Sequence, residues 1–327
     1  MKMDGHIEGF KKQLQEAVNI AIQAKLTKKS NVNQVLVTGL GGSGIGGSVV
    51  NELVQDNCTV PIIVNKDYFL PSFVSEKTLV VISSYSGNTE ETLNCFEQAI
   101  RNNAQIVCVT SGGKVAEIAK KHGFDLVIVP GGNPPRTCLG YSVVQLLNIL
   151  KFNGFISLDV NNLIADVVQL LENEKNSIRN EAIKVASTLK GKIPVIYTLG
   201  NTESIAFRFR QQINENSKML CWHNVIPEMN HNEIVGWRRE DSNLAVIVLR
   251  TDYEFEKNSK RLSFCKNVIS TYTSNYTELV AKGKNRFEQL FYLIHLTDWI
   301  SYELALINEV DPIEVHVIDQ LKSALAG

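Results

Sequence analysis

The chain has 327 residues, 44% of them hydrophobic and 20% charged, with a formal net charge of −1 at pH 7. That length suits two domains, each with its own core. The near-neutral balance leaves no electrostatic footprint for nucleic acid or for an anionic membrane surface.

In chain order, residues 9–28 form the first amphipathic helical pattern. Short β-rich runs follow at 34–38, 60–64, 79–82, 105–109 and 126–129, with helical patterns at 44–55, 89–102, 114–122 and 139–150 between or after them. Apolar strands separated by helices predict a parallel, doubly wound α/β sheet with both faces covered. Residues 159–190 are helical in pattern without a strand signal. A second β-run at 193–199 then leads into Gly200-Asn201, a helix at 202–216, and strands near 219–221, 244–249 and 277–280. A long helical pattern at 285–308 and a last helix at about 312–326 close the chain. The second half repeats the first in outline, which predicts two α/β domains related by duplication, 1–152 and 153–327.

The opening Met1-Lys-Met-Asp-Gly-His lacks the apolar segment of a signal peptide. No apolar run approaches the roughly 20 residues that span a bilayer. The cysteines are scattered without a C-x-x-C pair, as buried thiols of a reducing cytoplasm are. A cytoplasmic location is expected.

Two loops carry the chemistry. Gly39-Leu-Gly-Gly-Ser43-Gly-Ile-Gly-Gly47 follows the first strand and opens a helix. Gly39, Gly41 and Gly44 satisfy G-x-G-x-x-G, and Asp67 lies near the end of the second strand, as in a dinucleotide fingerprint. The same glycines serve any phosphate-binding or tight strand–helix turn. The second loop, Ser83-Ser-Tyr-Ser-Gly-Asn-Thr-Glu-Glu-Thr92, places Ser83, Ser84, Ser86 and Thr89 between a strand and a helix, with no lysine or arginine among its ten residues. Hydroxyl and backbone N–H donors at the positive end of a helix dipole suit a small dianion. Part of the pattern is explained by helix capping at Asn88-Thr-Glu-Glu91, but capping leaves Ser83, Ser84 and Ser86 without a task. In a doubly wound sheet the loops after the first and third strands emerge at one edge. Ser43 can then join the later hydroxyls around one phosphate.

Together, Gly41-Gly42-Ser43-Gly44 and Ser84-Tyr-Ser-Gly-Asn-Thr-Glu-Glu-Thr92 resemble the SIS (sugar isomerase) fold family. Asn214-Glu-Asn-Ser-Lys218, Pro227-Glu-Met-Asn-His-Asn-Glu-Ile-Val-Gly-Trp237, Pro134-Pro-Arg136 and Ile318-Asp-Gln-Leu-Lys322 resemble its bifunctional phosphoglucose/phosphomannose isomerase branch. The resemblance implies two SIS domains and an aldose–ketose isomerisation of hexose 6-phosphates through a cis-enediol. It assigns the phosphate to Gly42, Ser43, Ser84, Ser86 and Thr89, and the proton transfer between C2 and C1 to Glu215. Arg136 would stabilise the enediolate, while His231 and Lys322 would assist ring opening. It further implies a homodimer with His231 shared across the interface, and neither cofactor nor metal. One departure is Ile313-Glu-Val-His316, where family members often carry a hydroxyl shortly before the terminal lysine. That hydroxyl bears on acceptance of the mannose epimer.

The residue types suit the reaction independently. Abstracting a proton alpha to a carbonyl needs a positioned base and a cation or donor for the developing oxyanion. By itself Glu215 reads as a solvated helix-end carboxylate, and Glu228 and Glu233 are alternative bases. His231 sits in a polar turn rather than on an apolar stripe, and histidine titrates near neutrality. His223, beside Trp222, and His316, six residues before Lys322, are further groups that can approach the site. Two prolines before Arg136 stiffen the segment that aims its guanidinium. Competing readings are a sugar-phosphate sensor without turnover, a nicotinamide-dependent dehydrogenase and an amino-sugar phosphate isomerase. No DNA-binding module accompanies the two halves, which argues against a sensor.

Overall fold

A computed structural model describes residues 2–325. Contacts divide the chain into two compact units, Gly9–Gln169 and Met1–Glu8 together with Leu170–Gly327. Residue 153, the boundary expected from the sequence, is the end of helix α6 (Leu139–Asn153), which closes on a left-handed Gly154, while the contact units divide between Gln169 and Leu170.

In the first unit the strands are β1 (Gln34–Thr38), β2 (Ile62–Asn65), β3 (Thr78–Ser83), β4 (Gln105–Thr110) and β5 (Asp125–Ile128). They form one parallel sheet in the order β2-β1-β3-β4-β5. Every residue of β3 is buried, because helices cover both faces. Fully burying side chains such as Leu79 and Ile82, each 0% exposed, contributes about 1.5–3 kcal/mol apiece. The helices are α3 (Gly41–Val54), α4 (Glu90–Arg101), α5 (Gly113–His122) and α6. The N-terminal helical pattern is two helices, α1 (Met3–Glu8) and α2 (Phe10–Gln23). The second stops at Gln23, where Ala24 turns extended. The chain runs from β1 outward to β2, then crosses back to β3 on the other side of β1. The connections after β1 and β3 therefore leave toward opposite sides of the sheet, and their loops adjoin at the topological switch point, where doubly wound sheets bind ligands.

Next in the chain come α7 (Val160–Asn173) and α8 (Lys175–Leu189). The later unit repeats the plan with β6 (Ile193–Leu199), α9 (Glu203–Ser217), β7 (Trp222–Ile226), β8 (Leu244–Arg250), α10 (Glu256–Ile269) and β9 (Tyr276–Val280). The parallel order is β7-β6-β8-β9. Two helices, α11 (Arg286–Ile307) and α12 (His316–Leu325), end the described chain. The fold is two doubly wound parallel sheets with flanking helices, as the alternation of strand and helix patterns predicts.

Four local expectations change. The strand expected near 219–221 forms at Trp222–Ile226, because α9 ends on a left-handed Lys218 that turns the chain first. Helix α10 is absent from the sequence reading; it buries only Leu262, Cys265 and Ile269 along an otherwise polar stretch. The last helix begins at His316 rather than near 312, and Ala326 lies outside the described residues. Finally, α11 is long and apolar enough to cross a membrane, with a mean hydropathy of 1.2 over its best window. Sequence reading passed over it because Glu288, Asp298 and Glu303 interrupt the run. That window is 78% buried within the protein, as in a core helix, and α11 packs against α8 and α9.

Candidate active site

The glycine loop and the serine loop meet at the first switch point. Ser43, in the first turn of α3, accepts a hydrogen bond at Oγ from the Tyr85 backbone N–H, 3.0 Å away. Ser84 Oγ donates to Thr89 Oγ1 at 3.1 Å and accepts from the Gly87 N–H at 3.2 Å. Ser86 remains exposed, its Oγ accepting from the Asn88 N–H at 3.3 Å. Ser83 ends β3 and is buried beside a cavity of about 10 Å³, room for one water. Gly42, Ser43, Tyr85, Pro135 and Cys138 also line that cavity.

Capping at Asn88–Glu91 takes a different form from the one expected. Thr89 is the N-cap of α4 and makes no side-chain cap hydrogen bond; its hydroxyl oxygen accepts from Ser84 instead. Asn88 Oδ1 instead accepts from the Lys114 N–H at 3.1 Å. Helix α3 likewise lacks a side-chain cap at Leu40. Two positive helix ends thus converge among hydroxyls, with neither N-cap side chain bonded to its own helix. Asp67, the acidic residue of the dinucleotide reading, accepts from the Tyr68 N–H at 2.6 Å.

Arg136 lies in a short 3-10 turn, Pro135–Thr137, and is buried. The turn packs directly on the glycine loop: a Cβ at Gly42 would stand 2.7 Å from the Pro135 carbonyl oxygen. Tyr85 secures the approach to this turn, a role the sequence reading missed although the residue lies inside the serine motif. Its hydroxyl donates to the Pro130 carbonyl at 2.9 Å and accepts from the Asn133 N–H at 3.1 Å. Burial and a hydrogen bond with Cys138 push its phenol up to about 12, so it stays a neutral donor. Ser111 Oγ donates to the Tyr85 carbonyl at 2.7 Å.

In the later unit, Glu215 occupies the last turn of α9 and is half-buried. Its motif neighbours hold that helix end in place. Asn214 Nδ2 donates to the Met219 carbonyl at 2.7 Å, and Asn216 Nδ2 to Ser301 Oγ at 2.9 Å. Ser217 Oγ donates to the Ser301 carbonyl at 2.7 Å. Lys218 Nζ reaches the carbonyls of Glu215, Asp311 and Glu314 at 2.6, 2.8 and 2.9 Å.

His231 ends the 3-10 turn Glu228–His231 and is exposed. Of the alternative bases, Glu228 Oε1 accepts from Asn232 Nδ2 at 2.9 Å. Glu233 receives Tyr197 OH at 2.6 Å, Trp222 Nε1 at 3.0 Å and Asn224 Nδ2 at 2.5 Å. These three donors anchor the Glu233 side chain, which ties the His231 loop to β6 and β7. His223 Nε2 lies 3.8 Å from Glu203, its ring edge-on to Phe207. Lys322 is 72% exposed, 3.8 Å from Asp319, and no residue of α12 is buried. The helix carrying it does not dock within the later unit, and His316 at its start is exposed as well.

Residues 178–325 match the family described as bacterial phospho-glucose isomerase C-terminal SIS domain. The chain is 39% identical over 326 residues to a bifunctional phosphoglucose/phosphomannose isomerase of Caldicellulosiruptor bescii, covering 96% of each chain. It is also 32% identical to a D-glucosamine-6-phosphate 4-epimerase of Sulfolobus acidocaldarius, over 71% of this chain and 73% of that one. In fold it is similar to the C-terminal domain of a glucosamine-fructose-6-phosphate aminotransferase of Francisella tularensis. That match has a TM-score of 0.76 and 16% identity, covering 96% of this chain and 98% of the other. By its identity to the first of these along nearly all of both chains, this protein belongs to the bifunctional phosphoglucose/phosphomannose isomerase family, built on the SIS fold.

Proposed function

We propose that the chain interconverts glucose 6-phosphate and mannose 6-phosphate with fructose 6-phosphate through a cis-enediol. The observation that carries this reading is the junction of the two loops, where Ser43, Ser84 and Thr89 meet at the ends of α3 and α4. The 6-phosphate is held there by those hydroxyls, with Gly42 and Ser86 beside them, and by first-turn N–H groups. The Glu215 carboxylate takes the proton from C2 of the open-chain aldose and returns it to C1. Arg136 stabilises the charge on the enediolate oxygen, worth about 10²–10³ in kcat for a single donor of this kind. His231 and Lys322 move protons during ring opening. Their exposure supports a site completed on assembly, in a homodimer that shares His231 across its interface. The domains that do this are 1–152 and 153–327, working in the cytoplasm without cofactor or metal.

A coupled assay with glucose 6-phosphate and mannose 6-phosphate side by side tests the reading. Glu215→Gln should lower kcat by about 10²–10⁴-fold, the usual worth of a general base, while sugar-phosphate binding survives. Unchanged turnover in that variant removes the base assignment and leaves the sensor reading. Mixing inactive Glu215→Gln and His231→Ala subunits should restore partial activity if the site is shared. No recovery after demonstrated subunit exchange counts against sharing. The epimerase likeness favours one second reading, an amino-sugar phosphate substrate. Turnover of glucosamine 6-phosphate above the two hexose phosphates would select it.

A further inference from the structure

The contact between α9 and α11 is polar where a buried helix pair is ordinarily apolar. Arg208 and Asp298 are 2% and 5% exposed, and Arg208 Nη2 lies 2.7 Å from Asp298 Oδ2. Gln212, 1% exposed, donates from Nε2 to Asp298 Oδ1 at 2.9 Å. Both oxygens of one buried carboxylate are thus taken by donors one turn apart on α9. The bonds from Asn216 and Ser217 to Ser301 continue the seam toward the C-terminal end. Burial pushes the Asp298 carboxyl up, against the opposing pull of Arg208 and the hydrogen bond from Gln212.

A buried ion pair of this kind is a poor source of stability, since desolvation offsets most of the attraction. What it supplies is direction. Apolar contacts tolerate a small slide of one helix along another, whereas hydrogen bonds to both oxygens of one carboxylate allow a single register. Glu215 lies seven residues after Arg208, two turns along nearly the same face of α9. Any slip at Arg208 and Gln212 is carried rigidly to Glu215.

We infer that Asp298 is a positioning residue, which through Arg208 and Gln212 sets the register of α9 on α11 and so the place of the Glu215 carboxylate. The inference rests on Glu215 being the base. An error of about 1 Å in a reacting group costs on the order of 100-fold in rate, which makes the seam visible in kcat.

The test is the triple variant Arg208→Met/Gln212→Met/Asp298→Leu, which leaves none of the three groups unpaired, alongside Gln212→Met alone. The expected triple variant unfolds within a few degrees of the parent and keeps KM for fructose 6-phosphate within about two-fold, but loses at least about ten-fold in kcat. Gln212→Met should lose about three-fold in kcat with KM unchanged. A folded triple variant with parental kcat, or a loss confined to KM, overturns the inference. If the triple variant does not fold, the same kcat-against-KM split in Gln212→Met decides. Glu215→Gln runs in parallel: an active Glu215→Gln enzyme rejects the base itself, whereas an inactive one beside a fully active seam variant rejects only the positioning role.

Discussion

The Tyr85 backbone N–H donates to Ser43 Oγ at 3.0 Å, so a serine after the first strand accepts from an amide after the third. In the proposed function, the hydroxyl proton of Ser43 is the donor to the phosphate oxygen, since its Oγ only accepts from Tyr85. Ser43→Ala removes that donor and also leaves the Tyr85 amide without its acceptor. Hydrogen bonds to charged groups contribute about 1.5–3 kcal/mol, so KM for hexose 6-phosphate should rise about 10- to 100-fold. Steady-state kinetics should show kcat changing far less than KM.

Gly42 sets the spacing between the glycine loop and the Arg136 turn. An added Cβ would lie 2.7 Å from the Pro135 carbonyl oxygen and 3.3 Å from the Arg136 Cα, both backbone atoms that can yield only by moving the turn. Gly42→Ala should therefore lower kcat through Arg136 by about 10²-fold, with the unfolding temperature falling by a few degrees. A crystal structure of the variant would show the 135–137 turn displaced from α3.

Glu233 separates anchoring from catalysis. Its three donors come from Tyr197, Trp222 and Asn224, so Glu233→Gln turns one accepting oxygen into a donor facing other donors. The expected result is a loss of about 2–3 kcal/mol in stability and raised amide exchange across residues 228–237. Measurable turnover should survive, in contrast to Glu215→Gln. An equal collapse of kcat in both variants would reassign the base to Glu233.

Lys218 combines a strained backbone with a bonded side chain. Its φ of +56° is a left-handed conformation that glycine adopts freely. Its ammonium meanwhile holds three carbonyls and lies 3.4 Å from a Glu314 carboxylate oxygen. Lys218→Ala loses the bonds and keeps the strain; Lys218→Gly loses the bonds and relieves it. The glycine variant should be about 1 kcal/mol more stable than the alanine variant by urea unfolding, and both less stable than the parent.

Glu278 should govern part of the acid response. Burial raises its carboxyl, but hydrogen bonds from Lys266 and Arg250, at 2.9 Å each, outweigh this and hold it below the ordinary value. With the folded value depressed, its stabilisation is fully present above the unfolded value of about 4.3 and is lost as pH falls through the folded one. Unfolding of the parent and Glu278→Gln should differ most near neutrality, and the gap should close as pH drops below about 4. A gap that widens in acid would contradict the assignment.

By itself the sequence determined the alternation of strand and helix, the glycine loop and the serine loop, and the membership of an isomerase family. These are legible because they are local: apolar periodicity, turn glycines and contiguous motifs act over a few residues. Helix α10 escaped because only Leu262, Cys265 and Ile269 mark its buried side. The strand order β2-β1-β3, which brings Ser43 to Tyr85, was settled only by the tertiary fold. So was the division of labour within Asn214–Lys218, where neighbours of Glu215 are bonded to Ser301 and Asp311. Neither the anchoring of Glu233 by Tyr197 nor the Asp298 seam leaves a trace in local pattern. Their partners stand 36 and 90 residues away along the chain. A hydrogen bond needs its two groups within about 3 Å and aligned, and only the packed sheets and helices bring such distant side chains to that distance.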